Sequence, residues 1–295
     1  MIDLHSHILP GIDDGAADIS VSLAMAKTWV ADGVSAVACT PHILPGLYQN
    51  TGPQIRIAVQ QLQEALDQEG ISLRLVTGSD AHMAPNFVAE VRSGQILTIA
   101  DSRYVLVEPP HHIAPPQIED FFFNLLVAGY VPILTHPERL SWVPSRYDTI
   151  QRLAKAGVWM QITAGSVTGA FGRNAQYWAE RMLDEGCVHI LATDAHDNSR
   201  RPPCLSKGWE AAAKRVGDAE AQHLVLTRPA GILNNEAPTK LPMPLMVGDL
   251  SGVVNADADS RSETGTTQKG GREGRSGASR RRSGTLLGRL QRFFE

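Results

Sequence analysis

A repeated junction constrains the fold more than any other feature of this sequence: a helical pattern stops at a glycine, and a short apolar run begins at once. The junction occurs five times, at Asp32-Gly33, Glu69-Gly70, Ala128-Gly129, Ala156-Gly157 and Glu185-Gly186. After a helix, glycine takes the left-handed cap conformation at little steric cost. Each junction therefore predicts the end of a helix followed by a strand.

This pattern predicts seven short strands that alternate with amphipathic helices. Five strands follow the junctions, and the runs at 2–4 and 103–108 add two more. Short, nearly all-apolar strands that alternate with helices are typical of a parallel sheet covered by helices. Both a barrel and a doubly wound sheet satisfy this pattern. We expect an α/β protein and favour the barrel.

Potential metal ligands follow six of the seven predicted strands. In chain order they are His5, His7, His42, Asp80, Glu108, His136, Asp194 and His196. The carboxyl ends of barrel strands form the face on which such enzymes build their active sites, so these side chains are expected to converge. His5 and His7 are two residues apart, and on an extended chain they would share one face as a chelating pair.

The chemistry of this residue set favours a metal-dependent hydrolase. Imidazole nitrogens together with carboxylate oxygens suit Zn, Mn or Fe, and a carboxylate can bridge two ions. Two adjacent ions can activate a hydroxide and bind the oxygens of a phosphate during in-line displacement. Hydrolysis of a phosphate ester is therefore the expected reaction.

Each of these residues could instead have an ordinary structural role. His42 and His136 could be hydrogen-bonded residues of the core, Asp80 and Asp194 could cap helices, and Glu108 could be a loop charge. Their shared position at strand ends favours the metal site. No role is assigned to the histidines without that position or in less suggestive contexts, which are His82, His111, His112, His189 and His223.

Two arginines stand beside the candidate ligands and are the candidate catalytic residues. Arg139 ends the segment 136–139, and Arg201 follows the segment 194–196. A planar guanidinium can hold two phosphate oxygens at once, which makes both arginines candidate phosphate clamps. Alternatively, either could pair with a neighbouring carboxylate such as Glu138 or Asp197.

The cysteines argue against a cysteine-based phosphatase and against a disulfide framework. The chain has three, with no CxxC pair, so one is left over however they are paired. A cysteine-phosphatase loop has an arginine six positions after its nucleophile. The residues six positions after Cys39, Cys187 and Cys204 are Pro45, Thr193 and Glu210.

The composition changes after residue 236. Residues 237–283 are rich first in Pro and Met and then in Gly, Ser, Thr and Arg, which predicts a disordered linker. Residues 284–295 place leucines and phenylalanines on one helical face beside two arginines. They are expected to form a short basic amphipathic helix that contacts a membrane surface or a protein. The alternative is a solvated tail with no specific role.

Charge and hydropathy bound the partners and the location. Residues 255–295 carry nine Lys or Arg against five Asp or Glu, although the chain as a whole has a net charge of −4. The rest of the chain is more acidic still, so no nucleic-acid partner is expected. No run approaches the ~20 apolar residues of a membrane-spanning helix. The N-terminal residues also lack the charged region and the apolar core of a signal peptide. We expect a cytoplasmic protein that the tail could hold at the inner membrane.

The motifs taken together resemble a known family. The segment MIDLHSHILPGIDDG opens the chain, TPH stands at 40–42, THPER at 135–139, and TDAH at 193–196 is followed by RRPP. In this order and spacing they closely resemble the PHP-type protein-tyrosine phosphatases of bacterial capsule and exopolysaccharide operons. The resemblance covers residues 1–236.

This resemblance implies a distorted seven-stranded β/α barrel and a trinuclear site, usually supported by Mn²⁺, with Zn, Fe, Mg and Co as alternatives. By position, it implies three sets of ligands: His5, His7, Asp80 and Asp194; Asp80, Glu108 and His136; and Asp14, His42 and His196. It also implies that Arg139 and Arg201 bind the phosphate. Asp80 departs from the family pattern, which usually has the longer Glu as the bridging residue.

The implied partner is the phosphotyrosine tail of a bacterial tyrosine kinase that controls polysaccharide polymerisation and export. Two alternatives stay open. One is another PHP-type phosphoesterase, such as a histidinol-phosphate phosphatase, and the other is a non-catalytic metal-binding scaffold in which Asp80 has disabled the chemistry.

Overall fold

The computed structural model describes residues 1–245, which form ten strands and ten α-helices. The strands are β1 (Ile2–Ser6), β2 (Ala36–Cys39), β3 (His42–Leu44), β4 (Tyr48–Gln49), β5 (Arg74–Thr77), β6 (Asp80–His82), β7 (Tyr104–Glu108), β8 (Val131–Thr135), β9 (Trp159–Thr163) and β10 (Ile190–Ala192). The helices are α1 (Ile19–Ala31), α2 (Gly52–Gln68), α3 (Phe87–Arg92), α4 (Ile118–Val127), α5 (Val143–Lys155), α6 (Ala164–Val167), α7 (Gly172–Asp184), α8 (Ser206–Val216), α9 (Asp218–Gln222) and α10 (Arg228–Leu233).

The five glycine junctions adopt the predicted conformation. The φ angles are 83° at Gly33, 67° at Gly70, 89° at Gly129, 99° at Gly157 and 68° at Gly186. All five lie in the left-handed region, where a residue with a Cβ is strained. Each glycine follows the last turn of a helix, and the next strand begins within four residues. The prediction of helix ends followed by strands is therefore confirmed.

The strands close into a distorted parallel barrel with seven strand positions. β1, β2 and β5 form one sheet, and a second sheet has the order β10-β9-β8-β7-β6-β3-β4. The two sheets meet where Ser6 bridges Ala195, and the His7 N–H donates to the Ala195 carbonyl at 2.9 Å. Elsewhere the chain passes from β2 to β3 and from β5 to β6 with two residues between them. The predicted barrel is confirmed, and at two of its seven strand positions a second short strand, β3 or β6, follows the predicted one.

Alternate residues of the strands face two separate apolar cores. One core lies within the barrel and includes Leu4, Tyr104 and Trp159, and the rings of Tyr104 and Trp159 meet edge to face at 5.0 Å. The intervening residues, such as Val105 and Val107, pack beneath the helices. The barrel is therefore filled by side chains, as in other β/α barrels, and is not a pore.

The C-terminal part of the described chain packs onto this interior core. Ile232 of α10 and Leu241 both belong to the same buried cluster as Leu4, and Leu241 lies directly against Gly231. Ordered packing therefore continues beyond residue 236, where the composition predicts the start of a linker. The predicted linker from residue 246 and the predicted helix at 284–295 lie outside the described residues.

A buried arginine holds this segment in place. Arg228 is 0% exposed, and its Nε donates to the Pro242 carbonyl at 2.5 Å. Its Nη1 donates to the His189 carbonyl at 3.3 Å, and its Nη2 lies 2.7 Å from the Glu220 carboxylate. Burial lowers the pKa of Arg228 from its ordinary value, although Glu220 opposes this effect. The hydrogen bonds thus connect three distant segments around one desolvated charge.

Within residues 1–245, no helix combines the length and the apolar character that crossing a bilayer requires. The three cysteines are free thiols, with Cys39 and Cys187 buried and Cys204 partly exposed.

Replacement of Arg228 by Met should destabilise the protein. The substitution roughly preserves the volume but leaves the carbonyls of His189 and Pro242 and the Glu220 carboxylate without their donor. We expect the free energy of unfolding, measured by urea denaturation, to fall by about 2–4 kcal/mol. Arg215→Met is the control, because Arg215 forms a more exposed surface ion pair whose loss should cost less than about 1 kcal/mol. Equal losses in the two variants would contradict the assignment.

Candidate metal centre

The fold brings all nine predicted metal ligands into one cluster at the carboxyl end of the barrel. They follow or terminate β1, β7, β8 and β10, begin β3 and β6, or lie in the loop after β1. Each of the nine has a ligand atom within 3.6 Å of a ligand atom of another. The convergence expected from their strand-end positions is thus present in the structure.

Three overlapping groups within this cluster have ligand atoms close enough to share an ion. The groups are His7, Asp14, His42 and His196; His5, His7 and Asp80; and His42, Asp80 and Glu108. Asp80 belongs to two of them. A carboxylate can serve two ions with its two oxygens, so the position of Asp80 suits a bridging role.

The spacing within the cluster matches that of atoms around a shared cation. Two atoms that each lie about 2.1 Å from one ion are themselves separated by about 3.0–3.5 Å at ordinary coordination angles. The Nε2 atoms of His5 and His7 are 3.3 Å apart, and His5 Nε2 lies 3.4 Å from Asp80 Oδ2. Asp14 Oδ1 lies 3.5 Å from His42 Nε2 and 3.4 Å from His196 Nε2. The donor set therefore fits divalent metal ions.

Two further residues orient the imidazoles of His5 and His7. Gln161 Oε1 lies 2.8 Å from His5 Nδ1, and Asp13 Oδ2 lies 2.7 Å from His7 Nδ1. Because each Nδ1 donates its proton to one of these acceptors, the lone pair of each Nε2 is directed into the cluster. Neither Gln161 nor Asp13 was identified from the sequence, although Asp13 lies within the GIDDG motif.

Asp80 is a buried carboxylate that lacks any hydrogen-bond donor. It is 0% exposed, and neither of its oxygens has a hydrogen-bond partner. Ring nitrogens of His5 and His42 lie 3.4 and 3.6 Å from its Oδ2. A buried charge without hydrogen bonds is costly unless a cation compensates it. Asp80 therefore requires positive charge at the centre of the cluster.

The carboxylates create a strongly negative potential at the neighbouring imidazoles. Burial alone would lower the pKa of His42, but contact with Glu108 and the charges of Asp80 and Asp14 raise it to about 10. Burial would also lower the pKa of His5, but the charges of Asp194 and Asp80 raise it to about 9. The potential that favours a proton on these rings equally favours a divalent cation among them.

His82 also reaches the cluster, although its sequence position suggested no role. Its Nδ1 lies 3.8 Å from Glu108 Oε2, on the side away from His136, which approaches Glu108 Oε1 at 3.6 Å. Burial would raise the pKa of Glu108, but contacts with His42 and His82 hold it far below its usual value. Register placed His82 here, since it lies opposite Glu108 in the β6–β7 pairing.

The two predicted clamp arginines converge on one carboxylate. Arg139 Nη1 and Arg201 Nη2 both donate to Asp194 Oδ2, and Arg201 Nη1 lies 2.8 Å from His196 Nε2. The other oxygen of Asp194 faces His5 and His7 at 3.4 and 3.3 Å. Arg201 Nε is buried without a hydrogen-bond partner. The two guanidiniums thus place concentrated positive charge beside the cluster, which favours an anion.

Two residues of the site have strained backbone conformations. The φ angle is 35° at His136 and 51° at Asp194, which is uncommon for residues other than glycine. His136 directly follows β8, and Asp194 comes two residues after the end of β10. Strained backbone conformations of this kind cluster at functional sites, where they fix the direction of a side chain.

The ligand groups differ in detail from the three sets that the resemblance implies. The set of Asp14, His42 and His196 is brought together and gains His7. His136 and Asp194 lie near their implied partners but outside the three close groups. His42 faces two groups, with Nε2 toward Asp14 and Nδ1 toward Glu108. A neutral imidazole has one lone pair, so His42 can ligate an ion in only one of the two.

Comparison with known proteins relates this geometry to a family. Residues 1–234 match the family described as Capsular polysaccharide synthesis, CpsB/CapC. Tyrosine-protein phosphatase YwqE of Bacillus subtilis is 34% identical over 242 residues, which are 82% of this chain and 95% of that protein. Tyrosine-protein phosphatase CpsB of Streptococcus pneumoniae is 27% identical over 241 residues, covering 80% and 99% of the two chains.

A solved structure supports the same relationship. It comes from crystal structures of YwqE from Bacillus subtilis and CpsB from Streptococcus pneumoniae, described as unique metal-dependent tyrosine phosphatases. It superimposes with a TM-score of 0.78 at 30% identity, and the match covers 83% of this chain and 99% of that one. By its sequence and its fold, this chain belongs to the CpsB/CapC family of capsular polysaccharide synthesis.

Proposed function

We propose that this chain is a metal-dependent protein-tyrosine phosphatase that acts on a bacterial tyrosine kinase and thereby regulates capsule or exopolysaccharide synthesis. The observation that carries the proposal is the buried Asp80 carboxylate, which lacks hydrogen bonds and lies among imidazoles at metal-ligand spacing. The named activities of YwqE and CpsB support it.

The ligands would divide among three ions that share residues. His5 and His7 with Asp80 and Asp194 would hold one ion, and Asp80 would bridge to a second with Glu108 and His136. The third ion would be held by Asp14, His42 and His196. The contact of Asp194 Oδ1 with both His5 and His7 supports the first set, and the close group around Asp14 supports the third.

The chain's own residues would bind and orient the phosphoryl group. When bound, the ions supply a nucleophile from water and neutralise charge on the phosphoryl oxygens. Arg139 and Arg201 would hold two of those phosphoryl oxygens. The ion pairs of both guanidiniums with Asp194 would keep them directed into the site. A tyrosine leaving group has a pKa near ~10 and departs more readily than an alkoxide, so a strong general acid is not required.

We propose Mn²⁺ as the working ion. The mixture of imidazoles and carboxylates accommodates Mn²⁺ and does not exclude Zn²⁺, Fe²⁺, Co²⁺ or Mg²⁺. Asp80 is shorter than the glutamate usual at this position in the family. Asp80 Oδ2 lies 3.4 Å from His5 Nε2, and Asp80 also belongs to the close group that contains Glu108, which supports a bridging role despite the shorter side chain.

The purified protein with added manganese should hydrolyse a phosphotyrosine peptide faster than histidinol phosphate. His5→Ala or excess chelator should lower kcat/KM at least about 100-fold, because both remove an ion from the nucleophile. The matched control is His223→Ala, since His223 hydrogen-bonds Thr227 away from the cluster. Full activity in chelator would refute the proposal, and preference for histidinol phosphate would assign a different substrate.

Asp80→Asn should weaken metal binding without unfolding the protein. In wild type, manganese at about 100 times its Kd should stabilise the folded protein by about 2.7 kcal/mol. For a domain of this size, that should raise Tm by at least about 5 °C. The variant should show less than half this rise and bind at least one ion fewer by elemental analysis. Asp80→Glu should retain the rise. A normal metal content in Asp80→Asn would exclude Asp80 as a ligand.

We further propose a cytoplasmic location with the tail at 284–295 in contact with the inner membrane. The support is the sequence pattern of apolar residues beside Arg289 and Arg292. The full chain should sediment with vesicles that contain phosphatidylglycerol but not with phosphatidylcholine vesicles. Deletion of 284–295 should abolish this binding. Persistent binding after the deletion would contradict the role of the tail.

A further inference from the structure

An aromatic ring contacts both clamp arginines from outside the ligand cluster. Phe171 lies between α6 and α7 and is partly exposed. The Cζ atom of Arg139 is 4.5 Å from the centroid of its ring, and that of Arg201 is 5.9 Å away. A guanidinium within about 6 Å of an aromatic centroid is attracted by the electron-rich face of the ring. One ring thus attracts both cations.

The two arginines need such a constraint because their charges repel. Both guanidiniums donate to the same oxygen of Asp194, so one negative charge is shared between two positive ones. Their side chains are 16% and 23% exposed and lie at the edge of the site, where water would let long side chains change rotamer. Stacking on an aromatic ring restricts a guanidinium to one plane.

The backbone beneath Phe171 is built to accept the ring at close range. A Cβ at Gly165 would lie 2.8 Å from Phe171 Cε2 and 3.1 Å from Cδ2. Any larger residue at this position would therefore displace the ring. The Ala170 N–H also donates to the Gly165 carbonyl at 2.8 Å, which closes the loop that carries Phe171.

A buried carboxylate connects this loop to the turn that carries Arg139. Glu138 is 0% exposed and accepts hydrogen bonds from the Ser166 hydroxyl at 2.7 Å and the Thr163 N–H at 2.9 Å. Since Glu138 precedes Arg139 and Ser166 lies within α6, the arginine and the loop are held on one common support.

From these contacts we propose that Phe171 is a positioning residue that holds Arg139 and Arg201 in the arrangement that binds the phosphoryl group of the substrate. The inference rests on the proposed phosphatase function. Phe171 itself does not touch the reacting atoms and acts through the two guanidiniums. The ring face is what matters, so a second aromatic residue should replace Phe171 and an aliphatic residue of similar size should not.

The test compares variants of the full, manganese-loaded chain by two readouts. These are kcat and KM on a phosphotyrosine peptide, and the Kd of inorganic phosphate by calorimetry. Phe171→Leu should lower kcat/KM about tenfold and weaken phosphate binding by a similar factor, whereas Phe171→Tyr should stay within about twofold of wild type. The matched control is Phe123→Leu, which makes the same change on an exposed part of α4 and should alter neither value.

Gly165→Ala provides a variant that keeps the ring but displaces it. Its added Cβ should reproduce the loss seen in Phe171→Leu, with an unchanged metal content. If Phe171→Leu folds poorly, Gly165→Ala and Phe171→Tyr decide the question between them. Wild-type values in both Phe171→Leu and Gly165→Ala would overturn the proposal.

A double substitution tests whether Phe171 acts through the arginines. In an Arg139→Lys background, Phe171→Leu should lower kcat/KM by less than about threefold, because the contact it removes is already weakened. A full tenfold loss in that background would overturn the proposal. If wild type does not hydrolyse the peptide, the proposed function fails, while the phosphate affinities of the same variants still decide the role of Phe171.

Discussion

Negative charge buried at the carboxyl end of the barrel is the constraint on which the rest of the site depends. Asp80 has no hydrogen-bond donor, and the imidazoles of His5 and His42 lie beside it with raised pKa values. Positive charge can come from protons on those rings or from metal ions, but a protonated imidazole cannot ligate an ion. A metal ion bound here would displace these protons, so its affinity should fall as pH decreases.

The barrel's closure between β1 and β10 assembles the cluster. The His7 N–H donates to the Ala195 carbonyl and the Asp194 N–H donates to the His5 carbonyl, at 2.9 and 3.0 Å. This register sets His5 and His7 beside Asp194 from the far end of the domain. A slip of the pairing by one residue would send these side chains to the opposite face of the sheet. The closure thus brings the candidate ligands together as well as completing the barrel.

Local chemistry made much of this predictable from the sequence. Glycine adopts the left-handed conformation that ends a helix at little steric cost, and the carboxyl ends of barrel strands share one face, so the helix ends and the cluster could both be anticipated. The contacts of Gln161 and Asp13, and the approach of His82 to Glu108, depend on register between distant segments, which composition and spacing do not encode. The packing of Leu241 beyond the predicted domain boundary could not be predicted either, because it also depends on contacts between distant segments.

Asp194 links the candidate ligand cluster to the two arginines. Its Oδ1 faces the imidazoles of His5 and His7, while its Oδ2 accepts hydrogen bonds from both arginines, so one carboxylate contacts both groups. A guanidinium has five N–H donors, and Arg201 Nε is buried without a partner. The Nη1 and Nη2 atoms of Arg201 are directed to His196 and Asp194, which fixes the orientation of this guanidinium. The ion pairs with Asp194 hold both guanidiniums in place, which is the preorganisation that the proposed phosphate binding would use.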